Sequence, residues 1–204
     1  VNELEPENFI SYFNLGNVYA EIGSFQQALD NYNKAIKIDS KKSIVYDALG
    51  YLYLENDSYK NAVENYKKAI ELEPDVAEYY INLANAYQKR GRNKEAHKTY
   101  LNAYSISPYN PKVCLCLANS YAVLNRYKKA YEFYDKVLDI NPDYYSAYVC
   151  KGITCCDDNK SDEAIVLLKH AIELRPDRKE AYLSLANILL FEKRYNEAID
   201  VYNV

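Results

Sequence analysis

The sequence predicts an all-α fold, a solenoid of helix hairpins repeating every 34 residues, and three residue ladders carry that prediction. Pro74, Pro108, Pro142 and Pro176 stand 34 residues apart, and two steps back from Pro74 fall on Ser40 and Pro6. Alanine keeps the same step at Ala28, Ala62, Ala96, Ala130, Ala164 and Ala198. So does a small residue at Gly16, Gly50, Ala84, Ala118, Gly152 and Ala186.

The period divides the chain into windows at 9–42, 43–76, 77–110, 111–144, 145–178 and a truncated 179–204, forming a single solenoid over 1–204. Residues 1–8 read as the end of a preceding repeat, because Leu4-Glu5-Pro6 mirrors Leu72-Glu73-Pro74. The first half of the third window places Tyr80, Leu83, Ala84 and Tyr87 on one helical stripe. The second half repeats the pattern with Ala96, Tyr100, Ala103 and Ile106. Between the halves, Gly23, Asp57, Gly91, Asn125 and Asn159 supply residues that tolerate the turn after a helix. The prolines, lacking an N–H for the helical ladder, close each second helix.

The small residue of the first helix and the alanine of the second are steric requirements, since helices approach to about 8 Å only where no large side chain intervenes. Tyrosine fills what remains. Three ladders (Tyr12, Tyr46, Tyr80, Tyr148, Tyr182; Tyr19, Tyr53, Tyr87, Tyr121; Tyr32, Tyr66, Tyr100, Tyr134, Tyr202) take 14 of the 24 tyrosines, so most of the aromatic content is packing.

Tyr12-x2-Leu15-Gly16-x2-Tyr19 followed by Ala28-x3-Tyr32 resembles the signature of the tetratricopeptide repeat (TPR), with Tyr for the usual Trp and Phe. The likeness covers the whole chain, and a pentatricopeptide repeat would run one residue longer. Repeat 5 departs most, with Lys151, Cys155, Ser161 and Leu168 at signature positions, which predicts the loosest unit. The resemblance implies a right-handed superhelix whose first helices line a concave groove that binds a peptide or helix of a protein partner. The segment itself is then not an enzyme.

The groove-facing positions form two rows. One is Phe13, Asp47, Ile81, Leu115, Val149 and Leu183; the other is Asn17, Tyr51, Asn85, Asn119, Ile153 and Asn187, with Asn14 and Asn82 beside them. Asparagine offers two donors and an acceptor to a peptide bond of any sequence, and the apolar row offers area to dehydrate. The alternative is that the asparagines bridge neighbouring helices and the apolar row is inter-repeat packing. Asn82-Leu83-Ala84-Asn85-Ala86-Tyr87 resembles the asparagine-lined repeats of O-GlcNAc transferase, which implies a second reading, the recognition arm of a larger enzyme. A third is self-association through the solenoid ends or groove, as in TPR subunits of the anaphase-promoting complex. TPR co-chaperones instead clamp a terminal carboxylate with Lys, Asn and Arg. Here those positions read Phe13, Asn17, Ala48, Glu78 and Asn82, or one repeat later Asp47, Tyr51, Asn82, Lys112 and Cys116. The sequence predicts no carboxylate-clamp binding of a chaperone tail.

Other chemistry finds little support. A net charge of -4 argues against a nucleic-acid partner, and no apolar run approaches the length that spans a bilayer, so no membrane partner is expected. The absence of methionine indicates a segment of a longer protein. Five cysteines, an odd number, fit a reducing, intracellular and cytoplasmic setting. Cys114 and Cys155 stand at tyrosine positions and read as buried apolar residues, whereas Cys116 and Cys150 read as facing the groove. The spacing matches no zinc knuckle, so no metal or other cofactor is expected. His97 and His170 read as exposed positions of second helices, outside any catalytic motif.

Overall fold

The computed structural model describes residues 8–203, so Leu4-Glu5-Pro6 and the reading of 1–8 as the end of a repeat lie outside the described residues. Each window holds two helices: α1 (Phe9–Glu21) with α2 (Phe25–Ile38), α3 (Ser43–Glu55) with α4 (Tyr59–Leu72), and α5 (Ala77–Lys89) with α6 (Asn93–Ile106). The same pairing continues with α7 (Pro111–Val123) and α8 (Tyr127–Ile140), α9 (Tyr145–Asp157) and α10 (Ser161–Leu174), and α11 (Lys179–Phe191) and α12 (Tyr195–Tyr202). The architecture is an all-α repeat solenoid. Its helices group into two compact units, Val1–Ser107 with three hairpins and Pro108–Val204 with three more.

The turn inside each hairpin follows from backbone chemistry. Gly23, Asp57, Gly91, Asn125 and Asn159 all have positive φ, as their residue types anticipate, and Lys193 takes the same conformation in the sixth repeat without glycine's freedom. The residue after each one donates its N–H five residues back, as Ser24 does to the Tyr19 carbonyl at 2.8 Å and Arg194 to Leu189 at 2.8 Å. Each first helix therefore ends in a Schellman motif that satisfies its last carbonyls.

Within the hairpins the small residues do what steric reasoning requires. A Cβ on Gly16 or Gly50 would stand 2.5 Å from the ring of Tyr32 or Tyr66, so these tyrosines lie flat against the first helix. Tyr32, Tyr66, Tyr100 and Tyr134 are buried, as are Ala28, Ala62, Ala96, Ala130, Ala164 and Ala198. Repeat 5 is closed rather than loose. Cys155 and Leu168 are fully buried, and Lys151 reaches out to Asp135 of α8 at 2.6 Å.

Hydroxyl groups tie successive repeats together in each unit. In the first, Ser43 Oγ and Tyr79 Oη are 2.9 Å apart between α3 and α5. In the second, the backbone N–H of Ala181 donates to Tyr145 Oη at 3.1 Å between α11 and α9. His97 is buried, contrary to the sequence expectation, because α6 buries a face that also includes Ala96, Thr99 and Tyr100. His170 is half-buried and stacks edge-on against Tyr148 at 4.5 Å.

Candidate functional site

The asparagine row is built from the same partnership in four of the six described hairpins. Tyr32 donates its hydroxyl to Asn17 Oδ1 at 2.8 Å, Tyr134 to Asn119 at 2.7 Å, and Tyr202 to Asn187 at 3.3 Å, while Tyr100 donates to Asn85 in the same way. Each pair lies 15 residues apart, one residue on the first helix and one on the second. A buried phenol needs an acceptor, and a carboxamide oxygen supplies it without introducing charge. Burial holds the Tyr32 hydroxyl neutral, raising its pKa to about 12, with Glu21 adding to the shift.

The side-chain oxygens of the row are thus structural, as the alternative reading holds. Their nitrogens are a different matter. The amide N–H groups of Asn17, Asn85 and Asn187 donate to no group among the described residues, and these residues are half-buried or exposed. The hydroxyl bond on the oxygen side fixes each amide's rotation, so its donors are held in place before any partner arrives. Asn119 also bonds the sulfur of Cys150, whose thiol burial pushes up and that bond pulls back. Burial therefore disfavours the thiolate at Cys150, the form in which a cysteine reacts.

The remaining predicted residues separate into three groups. Asn82 donates to Asp47 Oδ1 at 2.8 Å, joining α5 to α3, so this asparagine serves the packing of repeats. Ile81 and Val149 are buried, 1% and 8% exposed, and belong to the interior instead of an open apolar row. Val149 packs in one cluster with Leu185 and Ala181, which shows why: a position facing away from its own hairpin partner still faces the next repeat. Phe13 is half-buried, stacked on Phe9 at 5.9 Å and tilted against Tyr32 at 6.1 Å. Leu115 is half-buried, Asn14 is exposed, and Tyr51, Ile153 and Leu183 expose 52%, 43% and 52% of their surface.

Sequence reasoning treated the tyrosines as packing and missed their second role. The signal was present in the fixed offset. Asn17, Asn85, Asn119 and Asn187 each precede a tyrosine by the same interval, and where Ile153 replaces Asn, Leu168 replaces Tyr. Among the described residues no group of three or more His, Cys, Asp and Glu converges as a metal site, and no helix is long and apolar enough to cross a membrane. Cys114 and Cys155 are fully buried, and Cys114 lies 3.4 Å from the Pro108 carbonyl that accepts its S–H.

Profiles of the tetratricopeptide repeat match residues 9–42, 77–110, 111–144 and 157–204, and a TPR repeat profile matches 50–91. The chain belongs to the TPR family. Among solved structures it is similar to YrrB, described as a TPR protein with an unusual peptide-binding site, at 22% identity and a TM-score of 0.66, covering 88% of this chain and 92% of that one. It is similar to MamA at 25% identity and a TM-score of 0.68, covering 85% and 93%. Likeness to the APC/C hetero-tetramer Cut9–Hcn1 reaches a TM-score of 0.80 at 16% identity, covering 98% of this chain and 39% of that one. No curated protein sequence matches the chain.

Proposed function

We propose that this chain is a protein-interaction scaffold, performing no chemistry of its own, that holds an extended peptide or a helix of a protein partner against its first helices. The observation that carries the reading is the arrangement of the asparagine amides. Their oxygens are engaged by buried tyrosine hydroxyls and their nitrogens are left to donate, beside the exposed apolar surface of Tyr51 in the first unit and of Ile153 and Leu183 in the second. Donors fixed in advance lose little conformational entropy when a peptide carbonyl arrives, which is how a modest surface gains affinity. The peptide-binding site named for YrrB supports the same use of the fold. Because a fold does not specify its ligand, the residues carry the proposal and the likeness only supports it.

Substitution by aspartate separates the two functions of the amide. Asn17→Asp and Asn85→Asp keep an oxygen for Tyr32 and Tyr100 but remove the N–H donors. Partners captured from a lysate by the wild-type chain are expected to be lost by the double variant, with helicity by circular dichroism unchanged. Retention of the same partners would show that the asparagines serve only to satisfy the tyrosines.

A further inference from the structure

We propose that an open cavity at the turn edge of repeats 4 and 5 is a second binding site, one for an acidic peptide segment of a partner. The cavity encloses about 600 Å³ and is lined by Arg126, Lys128 and Lys129 at the start of α8 and by Lys160 at the start of α10, with the rings of Tyr127 and Tyr131 as walls. Asp158 is the one acid in the lining, and Lys160 already neutralises it at 2.7 Å while lying over the Tyr131 ring at 4.5 Å. Lys129 lies over the Tyr121 ring at 5.6 Å, and Arg126 and Lys128 are left over.

In two other repeats the arginine at this edge is paired within the chain. In repeat 3 the residue preceding α6, Arg92, is clasped by Glu95 through two hydrogen bonds of 2.8 and 2.6 Å. In repeat 6, Arg194 is clasped by Glu197 at 2.6 and 2.7 Å. Arg126 is the equivalent arginine of repeat 4, one period from Arg92 and two from Arg194, and the glutamate position is occupied by Lys129. Arg126 consequently has no ion pair or side-chain hydrogen bond among the described residues. Helix α8, like α2 and α4, has no acid in its first turn, whereas α6, α10 and α12 each carry one there. Three cations crowd the end of a helix whose own dipole is positive, an arrangement unfavourable to the folded chain alone and relieved by an incoming anion.

The same edge between repeats 1 and 2 is lined by Phe25, Leu52 and Glu55, and between repeats 2 and 3 by Asp57, Lys60 and Arg90. Among the described clefts of this kind, the strong positive charge is confined to repeat 4. A carboxylate-bearing peptide fits a shallow cleft with aromatic walls.

Fluorescence anisotropy of a labelled oligoglutamate peptide against the full chain tests the proposal. Binding that weakens as salt rises is expected, together with about a tenfold loss of affinity in Lys129→Glu, which restores the Arg–Glu clasp of repeats 3 and 6. That variant should melt no lower than the wild type, so misfolding does not explain a loss. Lys60→Glu, in the cleft of repeats 2 and 3, should bind like wild type. Absence of oligoglutamate binding, equal binding by Lys129→Glu, or tighter binding of an RNA oligonucleotide of matched charge each overturns the proposal. Because Asn17 and Asn85 are untouched, a failure here leaves the reading of the asparagine surface standing.

Discussion

Repeats 4 and 5 occupy adjacent places in the second unit and solve one packing problem with opposite chemistry. In repeat 4, Tyr134 fills the space between the helices and its hydroxyl is answered by Asn119, with Thr154 of the next repeat 3.0 Å away. In repeat 5, Leu168 fills the space, Gly152 faces it, and Ile153 stands where the asparagine would be. Both side chains are almost completely buried. Repeat 2 is a third solution, in which Tyr66 is buried like Tyr134 but Tyr51 stands at the asparagine position. An amide without its phenol would lose its fixed orientation. The apolar pair folds equally well, but Ile153 offers no donor to a partner.

The sharpest break of the comparison is at Leu168. Leu168→Ala leaves a void against Gly152 that no neighbouring side chain fills, and should cost about 2–5 kcal/mol in denaturant unfolding, with the loss greatest at the hydrogen-exchange level in α9 and α10. A loss below about 1 kcal/mol would mean that the interior collapses to close the space.

Tyr134→Phe probes the polar solution and should cost less, about 0.5–1.5 kcal/mol, because it deletes one hydrogen bond and leaves the packing in place. The same variant changes the alkaline behaviour. Burial raises the Tyr134 pKa above the ordinary phenol value, with the Thr154 contact acting in the opposite direction. Raised in the folded state, the group lends stability that is complete below about pH 10 and lost as pH climbs toward its folded value. Alkaline unfolding of Tyr134→Phe should therefore be less steep above pH 10 than that of the wild type. Parallel unfolding profiles would show that this hydroxyl does not contribute.

The smallest effect lies in the turn that follows α11. Lys193 holds a φ of +59° where Gly23 and Gly91 hold +73° and +71°, so it carries a strain that glycine avoids. Lys193→Gly should raise stability by about 0.5–1 kcal/mol in thermal melts, and a destabilised variant would locate the lysine's value in contacts of its side chain.

Much of the site was legible once the period was known. The offset joining Asn17 to Tyr32 and Asn119 to Tyr134 is written in the sequence, and so is its joint loss at Ile153 and Leu168. The exchange of Glu95 for Lys129 at equivalent positions is equally visible there. What could not be read was burial. Ile81, Val149 and Leu183 belong to one ladder, yet the first two are interior and the last is half open to solvent.

The sequence by itself determined the helices, their turns and the pairing within hairpins, because these depend on residues close in the chain: a small residue against a ring, a left-handed turn residue, a proline after the second helix. Only the tertiary structure decided which faces stay open and which amide donors remain uncommitted. Those properties depend on the distance between one hairpin and the next, as when Asn82 is drawn to Asp47 and Val149 is covered by Leu185. A repeat motif sets the residue types on a helix face; stacking sets how much of that face water reaches.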